Sequence, residues 1–157
     1  MSYPLLAALT AQLSANATLK AGLSTIPGTN NTPAIYPYHH RDVENPTYPL
    51  ITLAVFGQGM GCSRFDDSQA TMGRFDRPRL AICVWSQKNI DEAYSIYAQI
   101  NPLRGTSVQS MYVSSWRMDR TLFRDDLFDQ DANAYHMHSE WMTWVEAPFG
   151  VTMPISS

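Results

Sequence analysis

Residues 81–100 read AICVWSQKNIDEAYSIYAQI, an apolar strand that turns within a few residues into an amphipathic helix. With the two residues before it, the apolar run that opens this stretch makes residues 79–85 a central strand, apolar on both faces. Asn89 is a good helix N-cap, and Glu92 three residues later completes the spacing of a capping box. Ile90, Ala93, Tyr94, Tyr97 and Ile100 then share one side of a helix, which Pro102 and Gly105 stop.

Working outward, residues 50–56 (LITLAVF) give a second central strand, with Ile51, Leu53 and Val55 facing one way and Leu50, Ala54 and Phe56 the other. Residues 134–146 alternate as a long strand, Tyr135, Met137, Trp141 and Val145 opposite His136, His138 and Glu140. Near its end Met142 and Trp144 join the polar side. Residues 4–14 predict a helix with an apolar stripe of Leu5, Leu6, Leu9 and Leu13, and residues 17–23 a short helical piece. Residues 26–33 (IPGTNNTP) are a loop of turn formers. Pro37 places the extended segment 34–40 at a sheet edge. Residues 107–118 read as a further strand. Gly-, Ser- and Asp-rich residues 57–73 and charged residues 119–133 read as long loops. Strands and helices do not alternate regularly, so the expected class is α+β: an antiparallel sheet of four to five strands with two helices on one face. The expected organisation is one domain over residues 1–148 and a C-terminal tail over 149–157.

The 157 residues, 45% of them hydrophobic, suit one ordinary core. A formal charge of −3 lacks the basic stripe of a protein that coats nucleic acid. Cys62 and Cys83 show neither zinc nor redox spacing; Cys83 lies in an apolar run and reads as a small buried side chain. The N-terminus lacks the basic region and cleavage site of a secretory signal, and no apolar run nears the roughly 18 residues that span a bilayer. The expected setting is therefore a reducing cytosol, without membrane attachment, and the sequons at Asn16 and Asn30 are chance matches.

Several short patterns invite chemistry. His136, His138 and Glu140 alternate on one strand and can point to one side, as metal ligands must. They are the candidate ligands, set against a plainer reading as a solvated polar face, and the expectation is no metal and no cofactor. Residues 129–140 (DQDANAYHMHSE) place Asp129, Asp131, Asn133 and Glu140 at calcium-loop positions, but Ala134 stands where the turn needs glycine; a polar hairpin turn explains them better. Gly57, Gly59 and Gly61 follow a strand without the Gly-Lys-Ser/Thr ending of a phosphate loop. There is no nucleophile elbow and no Cys–His pair in suggestive surroundings, so no catalytic residue is expected. His39 and His40 read as surface residues, and the acidic run through 125–131 as solvated.

The central strands carry more apolar surface than two helices hide. Phe56, Trp85, Met142 and Trp144 are the candidates for covering contacts from a second subunit.

Several stretches together resemble the tail-terminator (tail-completion) proteins of long-tailed bacteriophages. They are LLAALTAQLSANATLKAGL, AIYPYHH and YPLITLAVF in order, then ICVWSQKNIDEAYSIYAQI with Val84-Trp85-Ser86 and Glu92-Ala93. The resemblance covers the order of elements over residues 4–146. It implies a small α+β subunit that assembles in the host cytoplasm into a ring, usually a hexamer, within the virion. Such a ring caps the tail tube, meets the head-closure or connector protein, and lets DNA pass through its lumen without specific binding. The family has no catalytic residues to carry over. Two other readings stand beside it: another neck ring, either head-closure or adaptor, and a small metal-dependent enzyme built on His136, His138 and Glu140.

Overall fold

The structure is a computed structural model, and it describes residues 4–59, 74–106 and 114–147. The fold is α+β. Helices α1 (Pro4–Ala15) and α2 (Ala17–Gly22) lead into strands β1 (Ile35–Tyr36), β2 (Leu50–Gly59) and β3 (Arg74–Ser86). Helix α3 (Ile90–Tyr97) follows, then β4 (Ser114–Asp129) and β5 (Ala134–Ala147). The five strands form one sheet in the order β1-β2-β3-β5-β4.

The sheet is mixed where an antiparallel one is predicted: β1 runs parallel to β2, with Ile35 opposite Ile51. The remaining neighbours are antiparallel. The edge segment pairs over Ile35 and Tyr36 alone, and Pro37, which has no N–H to give a ladder, follows at once.

Two predicted loops need correction. Gly57 to Gly59 belong to β2, and β3 begins at Arg74, so only residues 60–73 of the predicted loop 57–73 lie outside the described residues. Residues 119–129 are strand, and the predicted loop 119–133 shrinks to a turn at 130–133. The reason is visible in the register. Pairing of β4 with β5 slips between Ser115 and Arg117, between Arg120 and Leu122, and between Arg124 and Leu127. Each bulge breaks the period-2 alternation that marks a strand in sequence.

Both short helices start on an asparagine cap, of which the sequence predicts the one at Asn89. Asn16 accepts a hydrogen bond from the Leu19 N–H (3.1 Å), and Asn89 accepts one from the Glu92 N–H (2.8 Å). Glu92 does not close the capping box. Its carboxylate instead accepts from the Ser86 hydroxyl, whose oxygen lies 3.2 Å from the Lys88 N–H. Ser86, fully buried, thus ties the end of β3 to the first turn of α3. The helix is shorter than predicted. It ends at Tyr97, and Ile100 and Leu103 are buried by the turns that follow.

The helices cover one face. Leu5, Leu6, Leu9 and Leu13 of α1 and Ala93, Ile96 and Tyr97 of α3 pack with Ile51, Leu53, Leu80, Ile82, Val84, Met137 and Trp141 of the sheet. Burial of this apolar area is the main stabilising term. A second, smaller cluster of Ala34, Tyr36, Val43, Leu50, Trp85 and Ala134 occupies one end of the opposite face. The chain therefore covers part of its second face itself, and the apolar excess there is smaller than the sequence count predicts. Large exposed hydrophobic side chains are instead found on β4, where Leu122 is 41% and Phe128 48% accessible. Among the described residues no helix is long and apolar enough to cross a membrane.

Candidate functional site

The second face holds a groove of about 440 Å³. Its floor is set by register: Leu50, Trp85 and His136 align across β2, β3 and β5, then Thr52, Cys83 and His138, then Ala54, Ala81 and Glu140. Small side chains at Thr52, Ala54 and Ala81 leave the depression, and His39, His40 and Arg41 wall it from the connector before β2.

Two constellations occupy this groove. In the first, the Cys83 sulfur lies 3.1 Å from His138 Nδ1, and His138 Nε2 lies 3.1 Å from Glu140 Oε1. Arg79 approaches the other oxygen of Glu140 at 3.6 Å. Thiol, imidazole and carboxylate thus stand in the order of a nucleophile, a base and its orienting acid. The sequence reading saw no such Cys–His pair. Cys83 and His138 lie on strands separated by α3 and β4, and only the β3–β5 register joins them.

The environment does not activate the sulfur. Burial, aided by the Glu140 charge and opposed by a Thr52 hydrogen bond, pushes the Cys83 thiol up to about 12. A thiolate is the nucleophile in thiol chemistry, so at neutral pH this group is a protonated hydrogen-bond donor. The array fastens β3 to β5. We expect Cys83 in the folded chain to alkylate far more slowly than in urea. The shift from the ordinary thiol value of 9.0 alone leaves about a thousandfold less thiolate at neutral pH. Mass spectrometry of iodoacetamide-treated protein reads this directly, and equal rates in both states would contradict a protonated thiol that is half-buried, not fully buried as its apolar run predicts.

The second constellation is a stack of three rings. His40 lies on the Trp85 indole at 4.0 Å between centroids and 25° between planes, and His136 lies on it at 4.3 Å and 22°. The indole N–H donates to Thr52 Oγ1 at 3.0 Å, and His40 Nε2 is hydrogen-bonded to the Tyr48 hydroxyl at 2.8 Å. Burial pushes His40 and His136 below the usual histidine value. His40, predicted to be a surface residue, is half-buried in this stack.

The candidate metal ligands do not act together. His136 turns to Trp85 while His138 and Glu140 bond each other, and no group of three metal-capable side chains converges among the described residues. The calcium-like stretch is the predicted polar hairpin turn. Asp129 accepts from the Ala132 N–H at 3.0 Å, and Asn133 takes a positive φ of 50°.

Of the predicted subunit-contact residues, Trp85 is 7% exposed, and its ring is enclosed by the chain's own histidines. Met142 is half-buried on β5. Phe56 and Trp144 occupy β2 and β5, and their side chains lie outside the described residues. The exposed β4 pair, Leu122 and Phe128, escaped sequence reading because the bulges hide which way each residue points.

Scanning the chain against family models gives no match, and neither does comparison with curated proteins. Among solved structures, a chain of the virion of a native gene transfer agent particle is similar in fold. Its TM-score is 0.61 at 18% identity, covering 90% of this chain and 94% of that one. At that identity the likeness shows a shared fold.

Proposed function

We propose that this protein is a structural virion subunit without catalytic turnover, a tail terminator of a phage-like particle. Copies close into a ring, hexameric by the resemblance, that caps the tail tube and receives the head-side connector protein. DNA passes through the lumen without specific binding, and no cofactor takes part. The observation that carries the reading is the fold likeness to a virion chain over nearly the full length of both molecules. The order of elements that resembles tail terminators supports it independently. The net charge of −3 suits a lumen through which phosphates slide, since like charges do not hold each other. Leu122, Phe128 and Met142 supply apolar surface for subunit contacts.

Electron microscopy of the purified protein, alone and mixed with tail tubes, tests this. We expect rings, and rings seated on tube ends. The double variant Leu122→Asp/Phe128→Asp should keep the far-ultraviolet circular dichroism of the parent, because both side chains are exposed, and lose the rings. A parent protein that stays monomeric and ignores tube ends would overturn the proposal.

A further inference from the structure

We propose that His40, Trp85 and His136 form a pH-sensitive latch. It holds the His40 end of residues 39–48 against the second face of the sheet and loosens that end on acidification, while Thr47 keeps the other end tied to Ser24 and Thr25, whatever the particle to which the protein belongs.

The latched segment contains a short turn at His40–Asp42, whose backbone bonds are local: Asp42 N–H to His39 O at 2.9 Å and Val43 N–H to His40 O at 3.0 Å. Its attachment to the sheet runs through side chains. Val43 joins the second cluster, and His40 lies flat on Trp85 while bonded to Tyr48. The indole is itself fixed by Thr52, so it is a rigid platform with an imidazole on each side.

Two observations make this arrangement sensitive to protons. The first is that His136 Nδ1 is buried with no hydrogen-bond partner. A neutral ring nitrogen tolerates this, whereas a charged N–H with no acceptor does not. The second is that one imidazolium can gain from an indole face, but charging both sides of the same ring sets like charges against each other.

Burial is the main cause that lowers both histidines. His138 and His40 add to the effect at His136, and Asp129 at the end of β4 opposes it at both rings. The other titratable groups facing the stack are few. The segment itself brings His39, Tyr48 and Arg41, the last paired with Asp42 at 4.0 Å; β3 brings Cys83, and β5 brings His138 and Glu140. Because both folded values lie below the ordinary one, the released state binds more protons. The latch is therefore fully formed above about pH 6.5 and weakens as the pH falls below it.

Fluorine NMR of the full chain labelled with fluorotryptophan provides the test, with Trp85→Phe and Trp141→Phe assigning two resonances. Between about pH 7.5 and about pH 5 the Trp85 resonance should shift with a midpoint below the ordinary histidine value, while that of Trp141 stays in place. Hydrogen-exchange protection of Asp42 and Val43 should fall severalfold over the same range. His40→Phe/His136→Phe keeps the aromatic stack without the titrating groups, and its Trp85 resonance should not respond. Should that variant fail to fold, His40→Gln must still move the midpoint upward, since it removes the opposing charge. A flat Trp85 resonance in the parent, a midpoint at or above the ordinary value, or Trp141 moving in step would each overturn the latch. So would an unchanged midpoint in His40→Gln.

Discussion

Replacing Trp141 with alanine is expected to lower the unfolding free energy by about 3–5 kcal/mol. Trp141 is fully buried on the helix-covered face of β5, opposite Leu80 of β3 and Arg120 of β4. Its removal leaves a cavity between sheet and helices that rigid strands cannot collapse to fill. It also removes a hydrogen bond. The indole N–H donates to Ser139 Oγ at 2.9 Å, and the Ser139 hydroxyl donates to the Ile82 carbonyl at 2.8 Å. Ser139 keeps its bond across to β3 but loses a partner in a buried site. A whole domain is stabilised by about 5–15 kcal/mol, so this one change removes a large part of it. Urea titration followed by circular dichroism measures the difference, and a loss below about 1 kcal/mol would mean that the site repacks.

Ile100→Asp is expected to abolish folding. Ile100 is fully buried just beyond α3, its N–H bonded to the Tyr97 carbonyl at 2.8 Å. An aspartate there would bring an unpaired charge into the core shared by α1, α3 and the sheet, at a cost of several kcal/mol. The site also follows the carbonyl end of a helix, where negative charge is least welcome. Ile100→Val is the control, since losing one methylene costs only about 0.5–1.5 kcal/mol. The contrast should be visible as a native spectrum for the valine variant and an unfolded one for the aspartate variant. A cooperatively folded aspartate protein would show that this end of α3 is not seated in the core.

Much of the fold is legible in the sequence where local pattern and tertiary role agree. The leucines of α1 are all buried, Asn89 caps its helix, and β2, β3 and β5 lie where period-2 or continuous apolar runs put them. Legibility fails where structure depends on pairing. The bulges of β4 disguise a strand as a charged loop, and the parallel partner of β1 lies across a long connector. The groove is illegible for the same reason. His138 and Glu140 are visible as alternating polar residues, but that Cys83 stands beside His138, and Trp85 beside His136, follows only from register. On the second face, counting apolar letters overstated the exposed surface. Leu50 and Trp85 are covered by Tyr36 and Val43, contributed by a segment that reads as edge and connector.

The three slips in β4 have a consequence for how copies of the molecule can meet. A straight, evenly spaced rim invites any passing extended chain to zip onto it and then another onto that, without end. Here the outermost long strand changes step three times, so a would-be guest would have to stumble in the same places. Such a border discourages runaway stacking into fibres, and the ring proposed above would then rest on the shapes of side chains such as Leu122 and Phe128.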